Sequence, residues 1–417
     1  MRRDLGGRLD LGHAGQATIG KIPETPVVTA FLERADGRVL LLRRRADAST
    51  YPGAWSGVSG YLERPDPLAE ALREVEEETG LGGGDVELLA SGKPLLAAGT
   101  WLVHPFLFRC PEPGAVRLSP ENEAGEWLDP SAMGELRTVP ALKEAYLHAK
   151  LAERVERIAK DDRHGASWLA KEAVQAVCDA VEAGEDPLEL ARELVRARPA
   201  IGSIAGALGR VLVAGRTPEQ TLEEAHALIS GRERASATIA VLLADDLDGK
   251  TVMTHSASAT ARAALLHGPP PRKVVCTESE PVGEGRPFSE ELAAEGLATE
   301  LVTDEDAAHA VKSVDLLLLG ADTVFRDGSL VNKIGTYELT KAATKAGVPV
   351  VVACEVLKLS PVEARDAEEE RFDLTPPEQI TKFVTEEGEC PPEEIGALVD
   401  RTPFLREGYE LLSGTSA

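Results

Sequence analysis

Four glutamates on one predicted helix, Glu70, Glu74, Glu77 and Glu78, are the residues whose spacing most directly suggests chemistry. Offsets of four, three and one put most of their carboxylates on one side of an α-helix. Like charges packed so closely repel unless a cation sits among them. Hard oxygen ligands of this kind suit Mg²⁺ or Mn²⁺, which bind carboxylates together with substrate phosphates. In a chain this acidic, the competing explanation is a solvated acidic face.

A second group is dispersed. His255–Ser258 and Gly320–Thr323 each follow a short apolar run, which places them at the carboxyl ends of predicted strands, where open α/β sheets bind ligands. Lys333 with Arg198 could neutralise a phosphate, and backbone N–H groups at helix starts could hold its oxygens. Asp322 could then move protons on a sugar. Taken singly, an Arg-Pro or an Asn-Lys pair means little.

The elements that must position these residues are legible in outline. Val27–Leu32 and Val39–Leu42 flank Ala35-Asp36-Gly37, which predicts a β-hairpin. A Gly/Ser/Trp-rich loop runs from Tyr51 to Gly60. Pro65-Asp66-Pro67 then opens a helix that runs to about Thr79 and is ended by Gly80 and Gly82-Gly83-Gly84. Strands follow around Leu102–Phe108 and Glu126–Leu128, and a helix starts near Pro140. Composition shifts near Lys150, and from there to Leu247 the chain reads as helical. From Lys250 onward short apolar strands (Thr251–Thr254, Lys273–Cys276, Leu316–Leu319, Val348–Ala353) alternate with helical stretches, which implies βα units on a parallel sheet.

The string Arg73-Glu74-Val75-Glu76-Glu77-Glu78-Thr79-Gly80-Leu81 resembles the second half of the Nudix box: Arg-Glu, apolar, any, Glu-Glu, any, Gly, apolar. The Trp55-containing loop and Gly60 upstream, and His104–Phe108, Glu121–Glu123 and Trp127-Leu128 downstream, resemble the same family. The likeness covers roughly residues 22–150. It implies hydrolysis of a nucleoside diphosphate linked to another group, with Mg²⁺ or Mn²⁺ held by Glu74, Glu77 and Glu78 and with Arg73 orienting the carboxylates. A carboxylate of this set, or a loop residue such as Glu121 or Glu123, would take the proton from water. The sequence departs from the box at its loop end. The glutamate expected six residues after the glycine is Asp66, and the gap from there to Arg73 is one residue short; Glu63 and Asp66 both remain candidates for that place.

Residues 160–395 resemble the family that groups initiation factor 2B alpha, beta and delta subunits with ribose-1,5-bisphosphate isomerase and methylthioribose-1-phosphate isomerase. The segments that carry the likeness are Arg163–Ser167, Arg198-Pro199, Val252–Ser256, Gly320–Thr323, Val331–Thr336, Leu374–Pro377 and Thr385–Gly388. The resemblance implies ligand contacts at Gly165, Ala166, Arg198, Ser256, Asn332 and Lys333, with Asp322 as the acid–base residue. Isomerases of the family carry a cysteine where this chain has Ser256, and an arginine is common where it has Glu280. A hydroxyl donates a proton far less readily than a thiol, whose reference pKa is about 8.5. A regulatory domain that binds a phosphorylated sugar or an AMP-like ligand is therefore favoured over an active isomerase, with a translation-factor-like interaction role as a third possibility. ADP-ribose is an attractive substrate for the first part, since its hydrolysis releases ribose 5-phosphate and AMP.

The expected architecture is multi-domain α/β: a lead-in over 1–21, a Nudix α/β/α sandwich with a mixed sheet over 22–150, a helical segment over 151–247, a Rossmann-like parallel-sheet domain over 248–398 and a tail over 399–417. The family resemblance also implies a homo-oligomer. Bulk properties narrow the partners. The formal charge of −25 on 417 residues disfavours nucleic acid and suggests a salt-adapted cytoplasm. No apolar run approaches the roughly 20 residues that span a bilayer. Five scattered cysteines without a C-x-x-C pair fit a reducing compartment.

Overall fold

The computed structural model describes residues 24–364 and 370–415. The predicted lead-in over 1–21 lies outside them. The chain forms two compact units: one ends at Ala145, and the other begins at Tyr146 and also takes in Leu89–Gly92.

The first unit is built on a mixed sheet. Thr25–Glu33 pairs in parallel with Trp101–Arg109, from Thr25↔Trp101 to Glu33↔Arg109. The predicted hairpin partner Val39–Arg44 and the short strand Val58–Tyr61 both pair antiparallel to Thr25–Glu33. Against this sheet lies the helix Pro67–Thr79. Asp66 caps its start by accepting from the N–H groups of Leu68 (3.0 Å) and Ala69 (3.3 Å), and Gly80 ends it in the left-handed region at φ 70°. Ala71 and Val75 bury one stripe of the helix among Val28, Leu32, Leu42, Val58, Phe106 and Phe108. Glu70, Glu74 and Glu78, also four apart, form the neighbouring stripe and are buried too, whereas the Glu77 side chain is 60% exposed. One helix thus carries its packing face and its acidic row side by side.

In the second unit the helices Ala166–Ala183, Pro187–Ala197, Gly202–Ala214 and Pro218–Leu242 share an apolar core that includes Leu169, Val177, Leu194, Ile204 and Leu208. The parallel sheet that follows runs in the order Thr299–Val302, Lys273–Thr277, Thr251–Thr254, Leu316–Leu319, Val350–Ala353, Lys382–Thr385, with Gly388–Cys390 antiparallel at the edge. Chain order therefore reverses between Thr251–Thr254 and Leu316–Leu319. The reversal opens a crevice at the carboxyl ends of those two strands, the place where such sheets hold ligands. A small antiparallel sheet of Thr323–Val324, Leu330–Lys333 and Phe372–Thr375 carries Lys333 toward the same end. All five cysteines are buried free thiols. Among the described residues no helix is long and apolar enough to cross a membrane.

The segment read as a tail over 399–417 is folded through most of its length. Pro403–Ser413 is a helix, with Pro403 in its first turn, Leu405 and Leu412 buried and Gly414 as its left-handed cap. It crosses the helix Gly202–Ala214 where glycine meets glycine: a Cβ on Gly408 would lie 2.6 Å from the Gly209 Cα. Neither backbone can yield without separating the helices. Gly408→Ala should destabilise the protein by about 1–3 kcal/mol, the usual cost of overpacking. A thermal melt followed by circular dichroism reads this directly, and an unchanged midpoint would mean that the crossing is not tight.

Candidate functional sites

In the first unit the acidic row lines a cavity of about 440 Å³, whose walls include Glu63, Arg73, Glu74, Glu77, Glu78, Glu121 and Asn122 together with Tyr51, Tyr61 and Trp101. Arg73 organises it. Its guanidinium pairs with Glu70, with Glu74, and with Glu77 at 2.6 Å, and these partners, Glu77 first, hold it firmly charged. Gly60 is needed beside it, because a Cβ there would overlap the Glu74 carboxylate. Glu78 accepts from the Ser59 N–H at 3.1 Å and from the Asn122 side-chain amide at 2.7 Å. Burial nevertheless pushes the Glu78 carboxyl up to about 7, with Glu74 and Glu121 adding repulsion. Burial likewise raises Glu74, against the pull of Arg73.

These residues fit a divalent ion. Several carboxylates share one cavity, two of them are held above their ordinary range, and a dication would relieve both burial and mutual repulsion. Among the described residues no three acidic, histidine or cysteine side chains already converge as a metal cage. Arg73 draws Glu70, Glu74 and Glu77 to itself instead, so the carboxylates would have to turn toward an ion. The structure also separates the alternatives that the sequence left open. Glu63 lines the cavity, whereas Asp66 is spent capping the helix. Glu121 lines it and Glu123 does not. Asn122, which sequence reasoning did not single out, is the side chain that fixes Glu78.

The second cavity, about 90 Å³, lies at the sheet's reversal point. It brings together Gly165, Ala166, Arg198, Ser256, Asp322 and Lys333, from well-separated stretches of the chain. Ser256 and Ala257 come from the end of the strand Thr251–Thr254, and Asp322 from the end of Leu316–Leu319. Gly165 caps the helix Ala166–Ala183, whose first amides are left without intrahelical partners. That helix start is anchored by a buried ion pair: Glu355 takes the Arg232 guanidinium at 3.0 and 3.1 Å, and Arg232 also donates to the Ser167 carbonyl at 2.7 Å.

A relay of hydroxyls fixes the Ser256 loop. The Ile334 carbonyl can only accept, so His255 carries its proton on Nε2 (2.9 Å) and its Nδ1 accepts from Thr277 Oγ1 at 2.7 Å. Thr277 Oγ1 accepts in turn from Ser279 Oγ at 2.8 Å, and Ser279 Oγ accepts the Ser256 N–H at 2.8 Å. Burial lowers the His255 pKa, which agrees with a neutral ring. Ser256 itself is held in the left-handed region at φ 65°.

One expectation changes here, and one residue gains a second role. Asn332 does not line the cavity; its amide donates to Thr336 Oγ1 at 3.1 Å, at the start of the helix Thr336–Ala346. Arg198 lines it, but its guanidinium donates to the Ile158 carbonyl at 3.2 Å and to that of Asp161, so it braces the loop that leads to Gly165. Glu284, not singled out from sequence, lies between Ser256 and Lys333. Its position was hidden because one more glutamate in so acidic a chain carries no signal.

Comparison with known proteins agrees with both halves. Residues 162–371 match the family model described as Initiation factor 2 subunit family (IF-2B), and residues 23–154 match that of the NUDIX domain. A ribose 1,5-bisphosphate isomerase of Haloferax volcanii is 32% identical over 299 residues, covering 61% of this chain and 92% of that protein. A ribose 1,5-bisphosphate isomerase of Archaeoglobus fulgidus is 30% identical over 283 residues, covering 58% and 90%. The crystal structure of a Pyrococcus horikoshii OT3 translation initiation factor eIF-2B aligns with a TM-score of 0.54 at 27% identity, covering 58% of this chain and 97% of that one.

The raised Glu78 carboxyl has a measurable sign. Because its folded pKa lies above its unfolded value, its contribution to stability is full below the unfolded pKa and is lost as pH rises through about 7. In chelator, Glu78→Gln should therefore melt higher than the parent at pH 8, and the gap should close toward pH 5. A gap of equal size at both pH values would show that Glu78 is not the titrating group.

Proposed function

The chain belongs to the Initiation factor 2 subunit family and carries a NUDIX domain ahead of the matched region; from this we propose a hydrolase joined to a ligand-binding, regulatory domain. The first unit would hydrolyse a nucleoside diphosphate linked to another group, with ADP-ribose as the leading substrate. The observation that carries this is the convergence of Arg73, Glu63, Glu74, Glu77, Glu78 and Glu121 on one cavity. The aromatic walls Tyr51, Tyr61 and Trp101 suit a base or a sugar face.

Glu74, Glu77 and Glu78 would hold Mg²⁺ or Mn²⁺. When bound, the ion supplies stabilisation of the negative charge that develops on the diphosphate. Arg73 keeps the carboxylates in register, and Asn122 and the Ser59 N–H keep Glu78 from turning away. Water attacks one phosphorus as the bridging P–O bond breaks, and its proton passes to a carboxylate on the cavity wall. Glu121 is the residue we assign to that step, since it faces the cavity as Glu123 does not. In the second unit, a phosphorylated sugar or AMP-like ligand would sit at the reversal point of the sheet, so that a product of the first reaction could be sensed by the second domain. Ser256 in place of a thiol favours binding over chemistry.

A second reading is an active isomerase, favoured by Ser256 and Asp322 lining the same cavity. Efficient conversion of ribose 1,5-bisphosphate by the parent protein would establish it in place of the regulatory role. The protein is further proposed to be cytoplasmic and a homo-oligomer; Val241, 74% exposed, and Ile334, 41% exposed, are apolar side chains left in water that a second copy could cover.

Hydrolysis is tested with purified protein, Mg²⁺ or Mn²⁺, and a panel of nucleoside diphosphate derivatives at low and molar salt. Glu77→Gln should lower turnover at least about a hundredfold, equivalent to about 2.7 kcal/mol of barrier. No product from any substrate under either metal would remove the hydrolase assignment.

A further inference from the structure

One carboxylate, Glu284, occupies the two side chains in the second cavity best suited to meet a ligand. The Ser256 hydroxyl donates to its Oε1 at 2.8 Å, and the Lys333 ammonium donates to its Oε2 at 3.1 Å. Both ends of the ion pair are largely shielded, with side-chain exposures of 8% for Lys333 and 18% for Glu284. The arrangement is fixed from behind. The relay from His255 through Thr277 and Ser279 ends on the Ser256 N–H, so the backbone that carries the hydroxyl is held in place, and the hydroxyl itself is held by Glu284.

The consequence concerns charge. Lys333 would be the natural phosphate clamp of this cavity, yet Glu284 already neutralises it. A phosphate arriving at Ser256 would meet an acceptor-only carboxylate and no net positive charge. Displacing Glu284 to free Lys333 would leave a shielded carboxylate without its partner, which is strongly unfavourable. A hydroxyl, by contrast, can donate to Glu284 and accept from Lys333 with no rearrangement. Elsewhere on the wall the helix Ala166–Ala183 presents first amides without intrahelical partners, and Arg163 and Arg371 line the same cavity, together with Asp162 and with Asp161, whose carboxylate is taken by the His164 ring and by the Arg163 and His164 N–H groups. That part suits an anion.

We propose that the second site selects a sugar monophosphate, with the phosphate at the Gly165–Ala166 helix start and free hydroxyls against Ser256, Glu284 and Lys333, and that Glu284 rejects a sugar phosphorylated at both ends. The inference rests on the proposed role of this site as a binder of phosphorylated ligands, and it names which member of that class is taken. It also gives the site the chemistry of a hydrolysis product such as ribose 5-phosphate.

The test is calorimetry on the full chain with ribose 5-phosphate and ribose 1,5-bisphosphate, for the parent and for Glu284→Gln. Glutamine keeps the shape and can still accept from Ser256, but it removes the charge. The parent should bind the monophosphate at least about tenfold more tightly, and the variant should shift that ratio toward the bisphosphate by at least about tenfold, since like-charge juxtaposition is worth that much or more. A parent that binds the bisphosphate equally well or better overturns the proposal, as does a folded variant that keeps the parent's full preference. If the variant melts and cannot be assayed, the parent's ratio alone decides. Binding of neither ligand to either protein is a different outcome: it removes the ligand-binding role itself.

Discussion

A carboxylate taken out of water must find a compensating charge or donor, and the geometry of both sites follows from how this chain meets that requirement. In the first unit a single guanidinium, Arg73, serves Glu70, Glu74 and Glu77. Glu78 lies beyond its reach and relies on Asn122 and a backbone N–H, which do not offset its burial. The deficit that remains supports the proposal that the cavity takes a cation. In the second unit Glu355 is met by Arg232 and Glu284 by Lys333. The first of these pairs anchors a helix start beside the cavity, and the second fills part of the cavity with a neutralised charge.

The same logic separates what the residues disclosed in advance from what they did not. The acidic helix was legible because a 3.6-residue period fixes which side chains share a face, and the Arg73–Leu81 string sits on one uninterrupted helix. Its loop end was not legible. Whether Asp66 or Glu63 faces the cavity depends on where the helix cap falls, and Asp66 became the cap. Residues of the second site were found one segment at a time, but their meeting depends on strand order, which arises from non-local pairing. Asn332 and Arg198 have types that suit a ligand; in the fold Asn332 meets Thr336 outside the cavity, and Arg198 lines the cavity while also donating to backbone carbonyls, uses that spacing cannot reveal.

The terminal helix shows an error of a different kind. Pro403 at a helix start, Leu405 and Leu412 seven apart, and Gly414 just past the end were all present as signals. The helix buries its apolar stripe, and its Gly408 meets Gly209 at closest approach. Local punctuation was the better guide.

We propose that the Arg73-organised carboxylates form a divalent-cation site whose strength is set by the buried Glu78. Calorimetric titration of Mn²⁺ near pH 7, in two buffers of different ionisation enthalpy, measures both the affinity and the protons released. Saturable binding with net proton release is expected, because an ion must displace the proton that burial favours on Glu78, and Glu78→Gln should abolish that release. Binding with no proton exchange, or no binding at millimolar metal, would contradict the proposal.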